Sequence, residues 1–273
     1  MKTLYNLTLF EMAQFFTEKI GLFWTFLFPL IMLFFMAQFY GSIQAPADAE
    51  ASVAIAEGMS NAISQSRANT SALALATFLI PGIATMALFS VCLYGVSLTL
   101  VTMRRMNVFK KYQLLPINKF QMITAFVLSR SVFMWIFSIF FVFVSFFMLS
   151  VPFTHVNWLA LIATCFLGVL TFISVGVLLS NFFSSPSAAS GMINILYMIL
   201  TIISALFIPE RVYPDWLNIT MSYFPVKAFA ESFRWAAFNE VGAYNITQMY
   251  AVLLGWFIMT TLLAITTFRW HAR

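Results

Sequence analysis

The chain has 273 residues, 62% of them hydrophobic and only 8% charged, with a formal net charge of +5. An ordinary soluble domain carries roughly 25% charged residues. A water-soluble globule of this composition would expose large apolar patches, which drive aggregation, so the solvent is a bilayer. The basic balance does not indicate nucleic acid either, because the basic residues lie between apolar runs and form no basic face on a soluble fold.

In chain order, residues Met1 to Ile20 place Leu4, Leu7, Phe10 and Ala13 near one helical face and Lys2, Glu11, Gln14 and Glu18 elsewhere, the pattern of a helix lying on a membrane surface. About twenty residues, with Glu11 and Glu18 among them, are too long for a secretory n-region. The first apolar run is therefore expected to be retained as a span. A hydrocarbon core about 30 Å thick needs roughly 20 apolar residues as helix, and six segments qualify: 22–40, 71–103, 119–150, 158–183, 187–208 and 247–268. The fold class is all-α, a polytopic integral membrane protein. Between the first two spans, Gly41 to Thr70 reads as a polar outer loop with weak helical periodicity from Ala49 to Ser66. Pro81-Gly82 in the second span predicts a kink or a short lead-in helix. The third span begins in an interfacial turn at Lys119, and Val151 to Asn157 forms a tight outer turn. Cys92 and Cys165 fall inside apolar stretches and read as two buried thiols.

Cytoplasmic loops are enriched in lysine and arginine. With the N-terminus inside, nine basic residues (Lys2, Lys19, Arg104, Arg105, Lys110, Lys111, Lys119, Arg269, Arg273) lie on the cytoplasmic side, against four outside (Arg67, Arg211, Lys227, Arg234). Both termini are predicted cytoplasmic. No internal repeat relates the first three spans to the last three.

Two stretches stand out between the spans. The inner segment 104–116 has Arg104, Arg105, Lys110 and Lys111, no acid, and apolar positions at helical spacing up to Pro116. It reads as a short cationic amphipathic helix, either an anchor on anionic lipid headgroups or a docking helix for a cytoplasmic partner. The second stretch, 209–240, interleaves aromatic and apolar residues with Pro209, Pro214 and Pro225. It is too amphipathic for solvent and too broken for another crossing, which fits two short interfacial or re-entrant helices. Within it Lys227, Glu231 and Arg234 share a helical face and can pair, on the plain reading as a surface ion pair of small value.

Together these stretches resemble the membrane subunit of the type 2 ATP-binding-cassette (ABC) exporter family. The inner family pattern of an arginine, a glycine-valine pair, two basic residues and a proline is similar to Arg105, Asn107-Val108, Lys110-Lys111 and Pro116, with Asn107 in place of the glycine. The acidic residue common near Arg104 to Met106 is absent. The outer pattern resembles Phe207-Ile208-Pro209, Pro214-Asp215-Trp216-Leu217, Pro225 and Arg234, with Glu231 close by. The resemblance implies six spans, an N-terminal interfacial helix, a cytoplasmic coupling helix at 104–116 and re-entrant extracellular helices before the last span. It also implies an ABC ATPase (nucleotide-binding) subunit holding ATP and magnesium, since this chain has no G-x-x-x-x-G-K-[ST] loop. A homodimer or a paralogous permease would complete the pathway in the cell membrane, the inner membrane of a bacterium, surrounded by lipid. No cofactor is expected on this chain itself.

Arg130 lies about 16 Å of helix beyond Lys119 at 1.5 Å per residue. An ionisable residue inside a span is a functional candidate by default. It reads either as snorkelling to the inner headgroups or as a contact for substrate headgroups. His155 and His271 lie at opposite ends, so no metal spacing and no Ser/His/Asp set emerges, and the chain is not expected to be an enzyme. The Asn-x-Ser/Thr triplets at Asn6, Asn69, Asn218 and Asn245 carry no assigned role. An ATP-driven exporter of a drug-like, lipid or lipid-linked glycan substrate is the leading reading. The alternative is a standalone ion-coupled transporter, which would normally use membrane-embedded carboxylates, and no Asp or Glu lies within any predicted span.

Overall fold

The structure, a computed structural model, describes residues 8, 9, 12, 23, 25–38, 76–109, 119–149, 151, 153, 156–204, 214–240 and 245–267. Among them the chain is helical with no strand: α1 (Thr25–Gln38), α2 (Ala76–Arg105), α3 (Lys119–Met148), α4 (Trp158–Ser180), α5 (Pro186–Ile203), α6 (Asp215–Ser222), α7 (Pro225–Phe238) and α8 (Ile246–Thr267). Among the described residues four helical stretches are long and apolar enough to cross a membrane: Ala76–Arg105, Thr124–Met148, Trp158–Ser180 and Ile246–Thr267. The helices α1 and α5 are apolar but shorter. Positions 39–40 and 205–208 of the first and fifth predicted spans lie outside the described residues, as do the loop 41–70 and nearly all of the N-terminal segment.

The core is built around α4, which packs against α2, α3, α7 and α8. Its start is set by Asn157, whose side chain accepts from the Ala160 N–H at 3.1 Å. In hydrocarbon there is little hydrophobic drive between helices, so small residues and hydrogen bonds hold them together. Both are present here. The Thr164 and Tyr250 hydroxyls meet at 2.5 Å, Thr171 Oγ1 donates to the Leu253 carbonyl at 3.2 Å, and Ser174 and Thr260 pair at 2.6 Å. This ladder runs down the α4–α8 seam, each rung stabilising it by about 0.6 kcal/mol. Elsewhere along α4, a Cβ at Gly168 would clash with the Phe229 ring, and one at Gly176 would lie only 2.7 Å from the Cys92 carbonyl oxygen. Gly168 thus admits the α7 ring, which packs edge-on against Phe172, itself edge-on to Phe89 of α2. Phe26 of α1 lies edge-on to Phe133 and Phe137 of α3.

The helical winding of α2 continues through Pro81-Gly82, where a break or kink is expected from the sequence; its irregularity falls at Val91–Val96, a π-helical segment. The reason that Pro81 is tolerated lies in α7. Proline has no N–H to bond the carbonyl four residues back, and that carbonyl, on Thr77, accepts from Arg234 Nε at 3.2 Å. A side chain from another helix replaces the bond that the proline removes.

Candidate functional site

At one end of the bundle three helix ends are tied together. The helix α2 runs two residues beyond its predicted limit, so Arg104 and Arg105 form its last turn and precede the inner loop. Arg104 is only 4% exposed. Its Nη1 donates to the Ser180 carbonyl at 2.6 Å, and its Nη2 to Asn181 Oδ1 at 3.0 Å and, weakly, to Ser180 Oγ at 3.4 Å. The terminal carbonyls of α4 have no helical partner, and a cation there also meets the negative end of the helix dipole. Asn181 Nδ2 in turn donates to the Ala264 carbonyl at 3.2 Å and to Thr267 Oγ1 at 3.1 Å. Arg104 and Asn181 therefore bind the ends of α2, α4 and α8 into one polar knot. Arg105, one position on, is exposed.

The chain then turns. Asn107 has φ 55°, in the left-handed region, and its N–H donates to the Arg104 carbonyl at 3.2 Å. Asparagine and glycine are the residues that take this conformation at little steric penalty, which is why Asn107 can stand where the resembling pattern has glycine. Winding resumes at Val108 and Phe109, and Phe109 is fully buried. Lys110, Lys111 and Pro116 lie outside the described residues.

The opposite end is closed by α6 and α7. With 14 and 8 residues, α7 and α6 are each too short to span a 30 Å core at about 1.5 Å per residue. Trp216 is exposed on α6, and Pro214 precedes that helix. Pro225 opens α7 at its first position, where a missing N–H is harmless. Pro209 lies outside the described residues. The Glu231–Arg234 ion pair forms, but it is not on the surface: the two side chains are 8% and 15% exposed, and Lys227 is 1% exposed with Nζ 3.4 Å from Asn218 Oδ1. Almost all of α7 is enclosed by α4, α8 and the start of α2. A surface pair is therefore the wrong description. The pair positions the guanidinium that completes α2 at Pro81.

Arg130 is also buried, at 8% exposure, with its guanidinium carbon 5.3 Å from the centre of the Phe126 ring. It lines a narrow crevice with Val91, Cys92, Gly95 and Val96 of the π segment and Ile173 of α4. It is enclosed by neighbouring helices. Among the described residues no three His, Cys, Asp or Glu side chains gather to hold a metal ion.

Two polar features escape motif reading. Ser180 and Asn181, the partners of Arg104, and Thr267, which Asn181 holds in turn, come from sequence positions more than seventy residues away. The Tyr94 hydroxyl, on the π segment, donates to Asn194 Oδ1 of α5 at 2.9 Å, and this pair is exposed. A signal for the second was present, since Asn194 is the only carboxamide in the fifth apolar run.

Comparison with curated proteins gives no match. A family model described as ABC-2 family transporter protein matches residues 55–266, which takes in α2 to α8 with both helix-end clusters, and the chain accordingly belongs to this family of multi-pass membrane permeases, the transport subunits of ABC systems.

Proposed function

We propose that the protein is the transmembrane half of an ATP-driven exporter that moves a hydrophobic or amphipathic molecule, drug-like, lipid or lipid-linked glycan, out of the cytoplasm or the inner leaflet. ATP and magnesium are held by a separate ABC ATPase beneath it. Two permeases, identical or paralogous, enclose the pathway in a bacterial inner membrane, with both termini cytoplasmic. The observation that carries this reading is the junction at Arg104. Segment 104–116, with Arg105, Lys110 and Lys111 as the docking charges, leaves the bundle at a fixed turn at Asn107. The helix it leaves is tied to the ends of α4 and α8. A push on that segment by closing ATPases moves three helices together, and packed helices transmit such displacements as rigid bodies. The first, second and fifth spans line the route, and the α6–α7 pair caps it outside, with Glu231 and Arg234 fixing the cap to α2.

The test is a mild-detergent pull-down of the tagged protein from its host, with Lys110→Glu combined with Lys111→Glu as the comparison. A Walker-motif ATPase should co-purify at near-equal amount with the wild type, and the charge reversal should abolish that association while the protein remains inserted. Repeated purification without an ATPase would replace this reading with a standalone ion-coupled transporter. An ATPase that binds both forms equally would remove the docking role from segment 104–116.

A further inference from the structure

The Tyr94–Asn194 pair lies at an unusual depth for a pair on an outside face. Tyr94 is 11 residues above Arg105, about 16 Å at 1.5 Å per residue, and Asn194 is 8 residues above Pro186, about 12 Å. Half of a 30 Å hydrocarbon core is about 15 Å, so both stand near the bilayer midplane. Tyr94 OH donates to Asn194 Oδ1, which occupies one carboxamide oxygen and leaves the two Nδ2 hydrogens of Asn194 directed from an exposed residue. Polar groups bared to hydrocarbon are costly, and within spans they face a bundle interior or a water-filled cavity. The face they occupy is therefore not a lipid face.

Two independent observations point to the same place. The backbone that carries Tyr94 is the π-helical segment Val91–Val96, and π turns inside α-helices concentrate at functional positions. On the same side of α5 as Asn194, one and two turns on, the exposed side chains are the apolar Met198 and Ile202. No Asp or Glu occurs in any of the membrane-spanning helices, and Arg130 lines a crevice on the π segment that Tyr94 does not line. The site thus presents neutral donors, flanked by a flexible thioether and a branched chain that accept varied apolar shapes.

We infer that Asn194, held by Tyr94, is a substrate-contacting residue that selects an amphipathic molecule with an uncharged hydrogen-bond acceptor oxygen, such as an ester, ketone or glycosidic oxygen, within an otherwise apolar body. This rests on the exporter reading for the word substrate, but the site itself does not require the ATPase.

The test uses the full-length permease alone in lipid nanodiscs. Asn194→Cys, and Leu262→Cys on the exposed side of α8 as the lipid-facing control, are treated with a water-soluble methanethiosulfonate. The wild type, whose Cys92 and Cys165 are buried, gives the blank. Position 194 should react and position 262 should not. Failure of both to react would place Asn194 against lipid and overturn the proposal. Oxidative cross-linking of Asn194→Cys between two copies, in place of labelling, would make the face a subunit seam and overturn it as well. The ligand class is read by tryptophan-to-pyrene energy transfer with the methyl ester of pyrenedecanoic acid and an alkylpyrene of equal length. The wild type should prefer the ester by about three- to tenfold, the worth of one net hydrogen bond, and Asn194→Leu and Tyr94→Phe should each reduce that preference. No preference in the wild type, or one unchanged in both variants, would overturn the acceptor assignment. Absence of an ATPase in the pull-down would sink the exporter reading without touching these results.

Discussion

Replacement of Arg104 by alanine separates internal anchoring from surface charge. Among the contacts of the guanidinium, two are strong, 2.6 Å to the Ser180 carbonyl and 3.0 Å to Asn181 Oδ1, while the 3.4 Å contact to Ser180 Oγ adds little. Hydrogen bonds to a charged group contribute about 1.5–3 kcal/mol each, and a buried acceptor left unpaired costs about 1–3 kcal/mol. Ser180 is fully buried and loses its partner outright, whereas Asn181 is half-buried and can recover some hydration. The expected loss is therefore about 3 kcal/mol for Arg104→Ala. For Arg105→Ala, which removes an exposed charge, it is under about 0.5 kcal/mol. Arg104→Lys, with a single point donor in place of the fork, should fall between them. Equilibrium unfolding in mixed detergent micelles with increasing dodecyl sulfate measures all three. A double-mutant cycle with Asn181→Ala should return a coupling of about 1 kcal/mol or more. Equal effects of the two arginines, or strict additivity with Asn181→Ala, would refute the knot.

Three further outcomes are expected. Asn107→Gly should be within about 0.5 kcal/mol of wild type, while Asn107→Val should lose about 1–2 kcal/mol because a β-branched residue is strained at φ 55°; the same unfolding titration reads both. Pro81→Ala restores an N–H facing the Thr77 carbonyl, so Arg234→Ala should be less damaging in the Pro81→Ala background than alone, by about 1 kcal/mol; equal damage in both backgrounds would break the link between α7 and the proline. Gly176→Ala places a methyl group 2.7 Å from a backbone carbonyl that cannot swing aside, and should lower stability by about 1–3 kcal/mol as overpacking, measured as a fall in the midpoint of thermal unfolding.

Much of the fold was legible because the bilayer is a simple solvent. Hydrocarbon forces backbone groups into helices, so the apolar runs at 119–150, 158–183 and 247–268 translate directly into α3, α4 and α8. The short helices α6 and α7 were legible from the prolines that start them, since Pro214 and Pro225 can only stand at or just before a helix start in such a run. Local periodicity could not sort the charges. Arg104 and Arg105 are chemically identical and adjacent, yet one is buried and the other is exposed, because the helix turns about 100° between neighbours and only one side meets α4. Glu231 and Arg234 read as a surface pair for the same reason, since an i,i+3 spacing says that two side chains meet and nothing about what covers them.

By itself the sequence determined the solvent, the helical class, the order of the long helices and the family, because all four depend on composition and on spacing along one chain. The tertiary structure alone decided which polar side chains are spent internally and which are presented. Asn181 reaches Arg104, Arg234 reaches the carbonyl opposite Pro81, and Tyr94 reaches Asn194, in each case across more than seventy residues. A hydrogen bond between distant positions needs the helices to be packed before either partner can be identified, since donor and acceptor are matched by position in space and leave no periodic trace along the chain.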